Sequence, residues 1–141
     1  MNMNSGSYMS QRLLFTGGLL WVVGTVAIRL GGRGLLHANR PVTTLILYLA
    51  SFAMMALLVP RIFRRLGVEK NSWPAAATLL MLPTLILDPF SCAFFSTVFP
   101  NVEPGAAGVF GGWMLIFCAG AVLGVWLTPG VRLAVRAGDK P

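Results

Sequence analysis

The stretch that decides the fold is GAAGVFGGWMLIFCAGAVLGVWL, residues 105–127, which contains no charged residue. A helix of this length covers the ~30 Å hydrocarbon core of a bilayer. The whole chain is similarly apolar, since 56% of its 141 residues are hydrophobic, 11% are charged and the mean hydropathy is +0.76. A soluble domain carries roughly a quarter charged residues. The composition excludes a soluble globular enzyme, a disordered tail and a disulfide-stapled module, and it predicts an integral membrane protein.

Three further apolar runs precede this stretch, and each is long enough to cross a bilayer. They span about residues 13–36, 42–60 and 74–98. In the second run, Pro60 followed by Arg61 predicts an abrupt end of the helix. Short connections make consecutive helices antiparallel neighbours, so the predicted fold class is all-α, an up-down-up-down four-helix transmembrane bundle.

The predicted domain organisation is one transmembrane domain between two polar tails. The bundle occupies residues 13–128, with a polar tail at residues 1–12 and a basic tail at residues 129–141. A cleaved signal peptide is a poor alternative for the first run, because a small-residue cleavage pattern is weak and Arg29 follows the apolar core.

The distribution of basic residues predicts the orientation. Eight of them fall in the tails and the middle loop, namely Arg12, Arg61, Arg64, Arg65, Lys70, Arg132, Arg136 and Lys140. Only Arg33 and Arg40 lie in the first opposite loop, and Glu103 is the only charge in the second. The positive-inside rule therefore places both termini in the cytoplasm. The net charge of +7 indicates contact with anionic headgroups at the cytoplasmic face, and no nucleic-acid partner is expected.

Two ionisable residues interrupt the apolar runs. Arg29 lies 16 residues after Leu13, and Asp88 lies 14 residues after Pro74, so the two side chains should reach similar depths. Since an isolated charge is costly in lipid, we predict an Arg29–Asp88 ion pair that ties the first span to the third. Two interpretations stay open, a structural clamp and a transport path in which Asp88 carries protons with Arg29 as counter-charge.

Prolines and glycines mark the third and fourth spans. Pro83 and Pro89 each free a backbone carbonyl and predict either a simple kink or a broken helix that builds a site. The fourth span carries a stripe of small residues that lets helix backbones approach closely: Gly108, Gly112, Gly120 and Gly124. The stripe could pack inside the bundle or join two chains.

Polar residues of the two outer loops form a candidate outer polar cap, composed of His37, Arg40, Asn101 and Glu103. One His and one Glu fall short of the three or four ligands of a zinc site. Cys92 and Cys118 form no Cys-x-x-Cys pair, so buried thiols are the better interpretation. We therefore predict no metal, no cofactor and no catalytic residue.

The stretch LDPFSCAFFSTVFPNVEPGAAGVFGGWML at residues 87–115, the Arg-Leu-Gly end of the first span and the four short spans resemble a group of small bacterial membrane proteins. The group is the family called "domain of unknown function 5367", and the resemblance extends over about residues 13–128. It implies a location in the bacterial inner membrane and no established activity. Arg29, Asp88, Pro100 and Asn101 remain unassigned.

Three functional hypotheses follow. The first is a non-enzymatic membrane protein, an accessory or structural subunit that packs with itself or a membrane partner through its glycines. The alternative is a small ion- or proton-coupled transporter that uses Asp88. A lipid-modifying enzyme is the weakest, because the outer polar cap is its only candidate site.

Overall fold

The chain forms four long helices, as described by a computed structural model for residues 3–131. They are α1 (Met3–Gly31), α2 (Pro41–Arg65), α3 (Trp73–Ala93) and α5 (Ala107–Trp126), with a single-turn helix α4 (Phe95–Val98) after α3. Three 3₁₀ turns lie at Gly32–Gly34, Lys70–Ser72 and Pro104–Ala106. All four long helices are apolar and long enough to cross a membrane, and no strand is present within the described range. The predicted all-α membrane fold is confirmed.

The helix boundaries differ from the expected ones at several points. The first helix begins at Met3, so the polar residues before residue 13 continue α1 instead of forming a separate element. The third span does not run unbroken to residue 98, because Phe94 leaves the helical conformation and separates α3 from α4. Pro83 and Pro89 both lie inside a continuous α3. The basic tail with Arg132, Arg136 and Lys140 lies outside the described residues.

The expectation that Pro60 ends the second span is wrong. The helix continues to Arg65 and stops at Gly67, which adopts the left-handed conformation at φ +67°. The N–H of Val68 then donates to the Phe63 carbonyl at 3.0 Å, which closes the helix end as glycine commonly does. Pro60 is tolerated because it is buried by packing and frees only the Ala56 carbonyl, which Gly124 of α5 covers.

The helices pack in the order α1, α3, α5, α2, so α3 and α5 are the only consecutive long helices that share a substantial interface in the described structure. The substantial interfaces are α1 with α3, α3 with α5, and α2 with α5. The expected pairing of consecutive helices is therefore right for α3 with α5 and wrong for α1 with α2 and for α2 with α3, and α1 and α2 occupy the two edges. Short loops fix the direction of the next helix, but the fit of side chains decides which helix it lies against.

The α2–α5 interface uses most of the glycine stripe. A methyl group at Gly120 or Gly124 would overlap backbone atoms of Phe52 or Ala56, and one at Gly112 would overlap the Tyr48 ring. Among the described residues nothing lies within 4 Å of a Cβ placed at Gly108. The Tyr48 hydroxyl also donates to the Val109 carbonyl at 2.9 Å. Three of the four glycines thus pack within the chain.

Two apolar clusters close the ends of the molecule. At the end of the middle loop, Phe63 packs edge-on against Trp73 with ring centroids 5.7 Å apart, and Leu13 and Val125 join them. At the opposite end, the rings of Phe95, Phe99 and Phe110 lie with centroids 5.1 to 5.7 Å apart. The membrane-embedded polar residues lie between these two clusters.

The glycine contacts predict that Gly124→Ala destabilises the protein, since its methyl group would overlap the Ala56 backbone. We expect a loss of about 1 to 3 kcal/mol in the free energy of unfolding, measured by denaturant titration in detergent micelles. Gly108→Ala is the matched control and should be neutral or stabilising by up to ~1 kcal/mol, because alanine favours helix. Equal effects of the two substitutions would contradict the packing.

Candidate functional site

The candidate site is a buried polar face at the middle of α3. Thr84, Asp88 and Ser91 are buried and follow one another at the spacing that places them on one side of a helix. The Ser91 hydroxyl donates to the Leu87 carbonyl at 3.2 Å, so it is satisfied within its own helix. Asp88 is the only one of the three that can carry a charge, and its side chain is 7% exposed.

Asp88 is held by a tryptophan of the first helix. The Trp21 indole Nε1–H donates to Asp88 Oδ1 at 2.9 Å. The other carboxyl oxygen, Oδ2, is buried and has no hydrogen-bond partner within the described part of the chain. A buried carboxyl oxygen without a partner is costly, and such sites are rare unless they serve a further purpose.

The predicted Arg29–Asp88 pair does not form. Arg29 is exposed, and Trp21 occupies the position beside Asp88 that the pair requires. Arg29 lies eight residues beyond Trp21, about 12 Å farther along α1 and turned by about 80° around its axis. The expected depths assumed that α1 and α3 begin at the same level and did not account for this rotation, so Arg29 lies about 12 Å beyond the level of Asp88. The clamp interpretation loses its geometric basis.

Two pockets meet at Asp88. One, of about 220 Å³, lies between α1, α3 and α5, and its lining includes Trp21, Thr84, Phe110 and Trp113. The other, also of about 220 Å³, lies on the opposite side of the α3–α5 contact. Its lining includes Pro89, Cys92, Gly111 and Cys118. Asp88 thus lines both pockets.

The outer polar cap is only partly assembled. Glu103 Oε1 accepts a hydrogen bond from the Ala38 backbone N–H at 2.6 Å, which ties the two outer loops together. His37, Asn101 and Glu103 line one pocket of about 360 Å³. Arg40 does not line it, and Arg33 does so instead. In residues 3–131 no group of three or more His, Cys, Asp or Glu side chains is placed to hold a metal ion.

Asn101 connects this pocket to the first helix. Its Nδ2 donates to the Ile28 carbonyl at 3.5 Å, while its Oδ1 is buried without a partner in the described structure. Ile28 lies seven residues after Trp21, so α1 presents one continuous face to α3 and the loop that follows it. This face positions the Trp21 donor.

Residues 35–130 match the profile of a family described as "Family of unknown function (DUF5367)". The chain belongs to this family. The match confirms the resemblance but begins later than the expected residue 13, so it excludes α1 and includes α2, α3 and α5. Asp88 therefore lies in the family region, whereas its donor Trp21 lies before it. The chain matches no curated protein and no solved structure.

Trp21 is the site residue that sequence analysis misses. Tryptophan in membrane helices is enriched at the two interfaces, where its N–H reaches water or headgroups. Trp21 lies near the middle of the first apolar span, and an indole N–H at that depth needs an acceptor inside the protein. The position of Trp21 in mid-span therefore indicated a hydrogen bond to a buried acceptor, and Asp88 is such an acceptor.

The hydrogen bond predicts that Trp21→Phe lowers stability, because it removes the only donor that the described residues offer to a buried carboxyl group. We expect a loss of about 1 to 3 kcal/mol in the free energy of unfolding in detergent. Trp126→Phe is the matched control, since Trp126 is 46% exposed, and it should change stability by less than ~0.5 kcal/mol. A Trp21 effect no larger than the control would contradict the assignment.

The exposed position of Arg29 predicts that Arg29→Gln changes the free energy of unfolding by less than ~0.5 kcal/mol. Breaking a buried ion pair would instead cost about 3 to 5 kcal/mol. The same denaturant titration in detergent distinguishes these values, and a loss in the higher range would restore the structural clamp.

Proposed function

We propose that this chain is a multi-pass protein of the bacterial inner membrane with both termini in the cytoplasm. The excess of basic residues at the tails and middle loop supports this orientation. Contacts among the described residues also favour a common side for these segments, because Lys70 Nζ donates to the Pro129 carbonyl at 3.4 Å. Met9 and Leu13 of α1 line a pocket together with Val68 and Glu69 of the middle loop.

We further propose that the protein is a small proton-coupled transporter in which Asp88 binds the proton. The observation that carries this proposal is that Asp88 lines two cavities, while its buried Oδ2 has no hydrogen-bond partner among the described residues. Intramembrane carboxyl groups of this kind mark ion and proton pathways. With Arg29 pointing elsewhere, no fixed counter-charge within the described structure holds Asp88 permanently ionised.

The geometry suggests how the carboxyl group would work. A proton would bind to Oδ2 from one cavity and leave to the other, while the Trp21 N–H stabilises the ionised form through Oδ1. Pro83 and Pro89 flank Asp88 and each removes one hydrogen bond of the α3 backbone. Bending of α3 at these weakened positions would change which cavity the carboxyl group faces.

A second candidate is a non-enzymatic accessory subunit that packs with itself or with another membrane protein. The observation that favours it is the apolar side of α1 that no other described helix covers, where Phe15, Val22 and Val26 are exposed. The stripe of α5 no longer supports it, because three of its four glycines pack against α2. Native mass spectrometry in mild detergent tests it, and a monomer without a partner would count against it.

The transporter proposal predicts selective labelling by dicyclohexylcarbodiimide, an apolar reagent that reacts with protonated carboxyl groups. The acid adds across one carbon–nitrogen double bond of the reagent, and the acyl group then migrates to nitrogen as a stable N-acylurea. Of the four acidic residues in the chain, Asp88 should be labelled, and more strongly in mildly acidic than in alkaline buffer. Peptide mass spectrometry of the purified protein in detergent locates the adduct.

Two variants control this labelling experiment. Asp88→Asn should abolish the adduct and still fold, because the asparagine oxygen can accept the Trp21 hydrogen bond. Glu69→Gln removes the same charge from an exposed position of the middle loop and should leave the labelling unchanged. An unlabelled Asp88 across the pH range, with Glu69 or Glu103 modified instead, would overturn the proposal.

A further inference from the structure

The cavity between α1, α3 and α5 combines aromatic walls with one acidic group. Trp21, Phe110, Trp113 and Phe117 belong to its lining, and among the described residues that line it Asp88 is the only ionisable one. Its volume of about 220 Å³ is enough for one small aryl or alkyl group with a compact head. Aromatic faces carry negative potential, so both these walls and the carboxyl group favour a positively charged ligand.

The charge of this cavity is uncompensated. No Lys, Arg or His among the described residues lines it or the neighbouring pocket. The titratable groups nearest to Asp88 are the thiols of Cys92 on α3 and Cys118 on α5, and both line the neighbouring pocket. The polar side chains that α1 adds to the cavity lining are Trp21 and Thr25, and neither is titratable. Neither thiol can supply a positive charge. Oδ2 is therefore an acceptor for which the described structure offers no cation.

The cavity opens sideways, toward the bilayer. It is bounded by α1 and α5, which share no substantial interface, with α3 as its floor. Leu20 and Leu35 belong to its lining and are 37% and 47% exposed, respectively. A ligand that enters by this route must dissolve in lipid, so part of it must be apolar.

From these features we propose that the cavity binds a lipophilic organic cation, an alkyl- or aryl-ammonium group. Its positive head pairs with the carboxylate of Asp88, its methyl groups contact the faces of Trp21 and Trp113, and its apolar remainder extends toward lipid. This inference rests on the proposed function, because the cation and the proton compete for the same carboxyl group. Binding of one releases the other, which is the exchange that a proton-coupled transporter needs.

Other ligands fit the cavity less well. A neutral lipid tail would match the aromatic walls but leave Oδ2 without a partner. A bare metal cation would need several oxygen ligands, and the cavity offers one carboxyl group and the hydroxyls of Thr25 and Thr84. An organic cation can both pair with the negative charge of Asp88 and pack against the aromatic walls.

The test uses benzyltrimethylammonium as the cation and neopentylbenzene, in which carbon replaces the nitrogen, as its uncharged isostere. The full-length protein in detergent is titrated with each ligand, and the indole N–H signal of Trp21 is followed by NMR. Trp21→Phe assigns that signal. The cation should shift it saturably, and acidification should weaken the binding because protons compete for Asp88.

Asp88→Asn should weaken cation binding by about ten-fold or more, since loss of one member of a desolvated charge pair is costly. Glu69→Gln is the matched control and should bind as the wild type does. Equal affinity for the two ligands, equal affinity of wild type and Asp88→Asn, or no binding at all would overturn the inference. Lowering the pH gives the same comparison in the wild-type protein, because protonation removes the negative charge of Asp88 as Asp88→Asn does.

Carbodiimide labelling separates this inference from the proposed function. If Asp88 is labelled and benzyltrimethylammonium protects it, both are supported. If Asp88 is labelled at the same rate with and without the cation, the ligand class is wrong while the proton-binding role stands. If Asp88 is not labelled at any pH, the proposed function fails as well.

Discussion

The hydrogen bond between Trp21 and Asp88 is the interaction on which the rest of the site depends. A carboxyl group in apolar surroundings is tolerated only where the protein supplies partners, and here α1 supplies one donor at 2.9 Å for one of two oxygens. The bond fixes which face of α1 meets α3, because Trp21 and Ile28 lie on that same face. It also leaves the buried Oδ2 without a hydrogen-bond partner among the described residues, on a side chain that lines two cavities.

The opposite half of the molecule is held by close backbone contact. Gly120 and Gly124 bring α5 against the backbone of α2, and Gly124 covers the carbonyl that Pro60 frees. In lipid the hydrophobic effect does not drive helices together, so close packing and polar contacts between them must do so. The Trp113 indole N–H, which donates to Ser51 Oγ at 2.6 Å, adds such a contact at the same interface. The glycines are therefore committed to the fold, and a role for them in joining two chains loses its basis.

The family match covers only part of the candidate site. The match at residues 35–130 contains Asp88, both cysteines and the α2–α5 interface, whereas the helix that donates to Asp88 precedes it. The two halves meet in the cavity between α1, α3 and α5, where Trp21 faces the aromatic residues of α5. An uncompensated acidic group, aromatic walls and a lateral opening together favour a lipophilic cation that exchanges with a proton. Each feature alone is common in membrane proteins, and their coincidence at one side chain carries the proposal.

The sequence by itself determined the class, the four apolar helices and the choice of Asp88 as a candidate, because hydropathy and a charge in an apolar run are properties of one segment. The Gly67 that ends α2 and the position of Trp21 in the middle of its span were also signals present in the sequence. Only the tertiary structure decided that α1 lies on α3 and α2 on α5, and that Trp21 rather than Arg29 meets Asp88. The distance between two residues of one helix can be counted from its sequence, but the shift of one helix along its neighbour cannot. Rotation about the axis and the choice of neighbour depend on how two surfaces fit, and for that both helices must be in place.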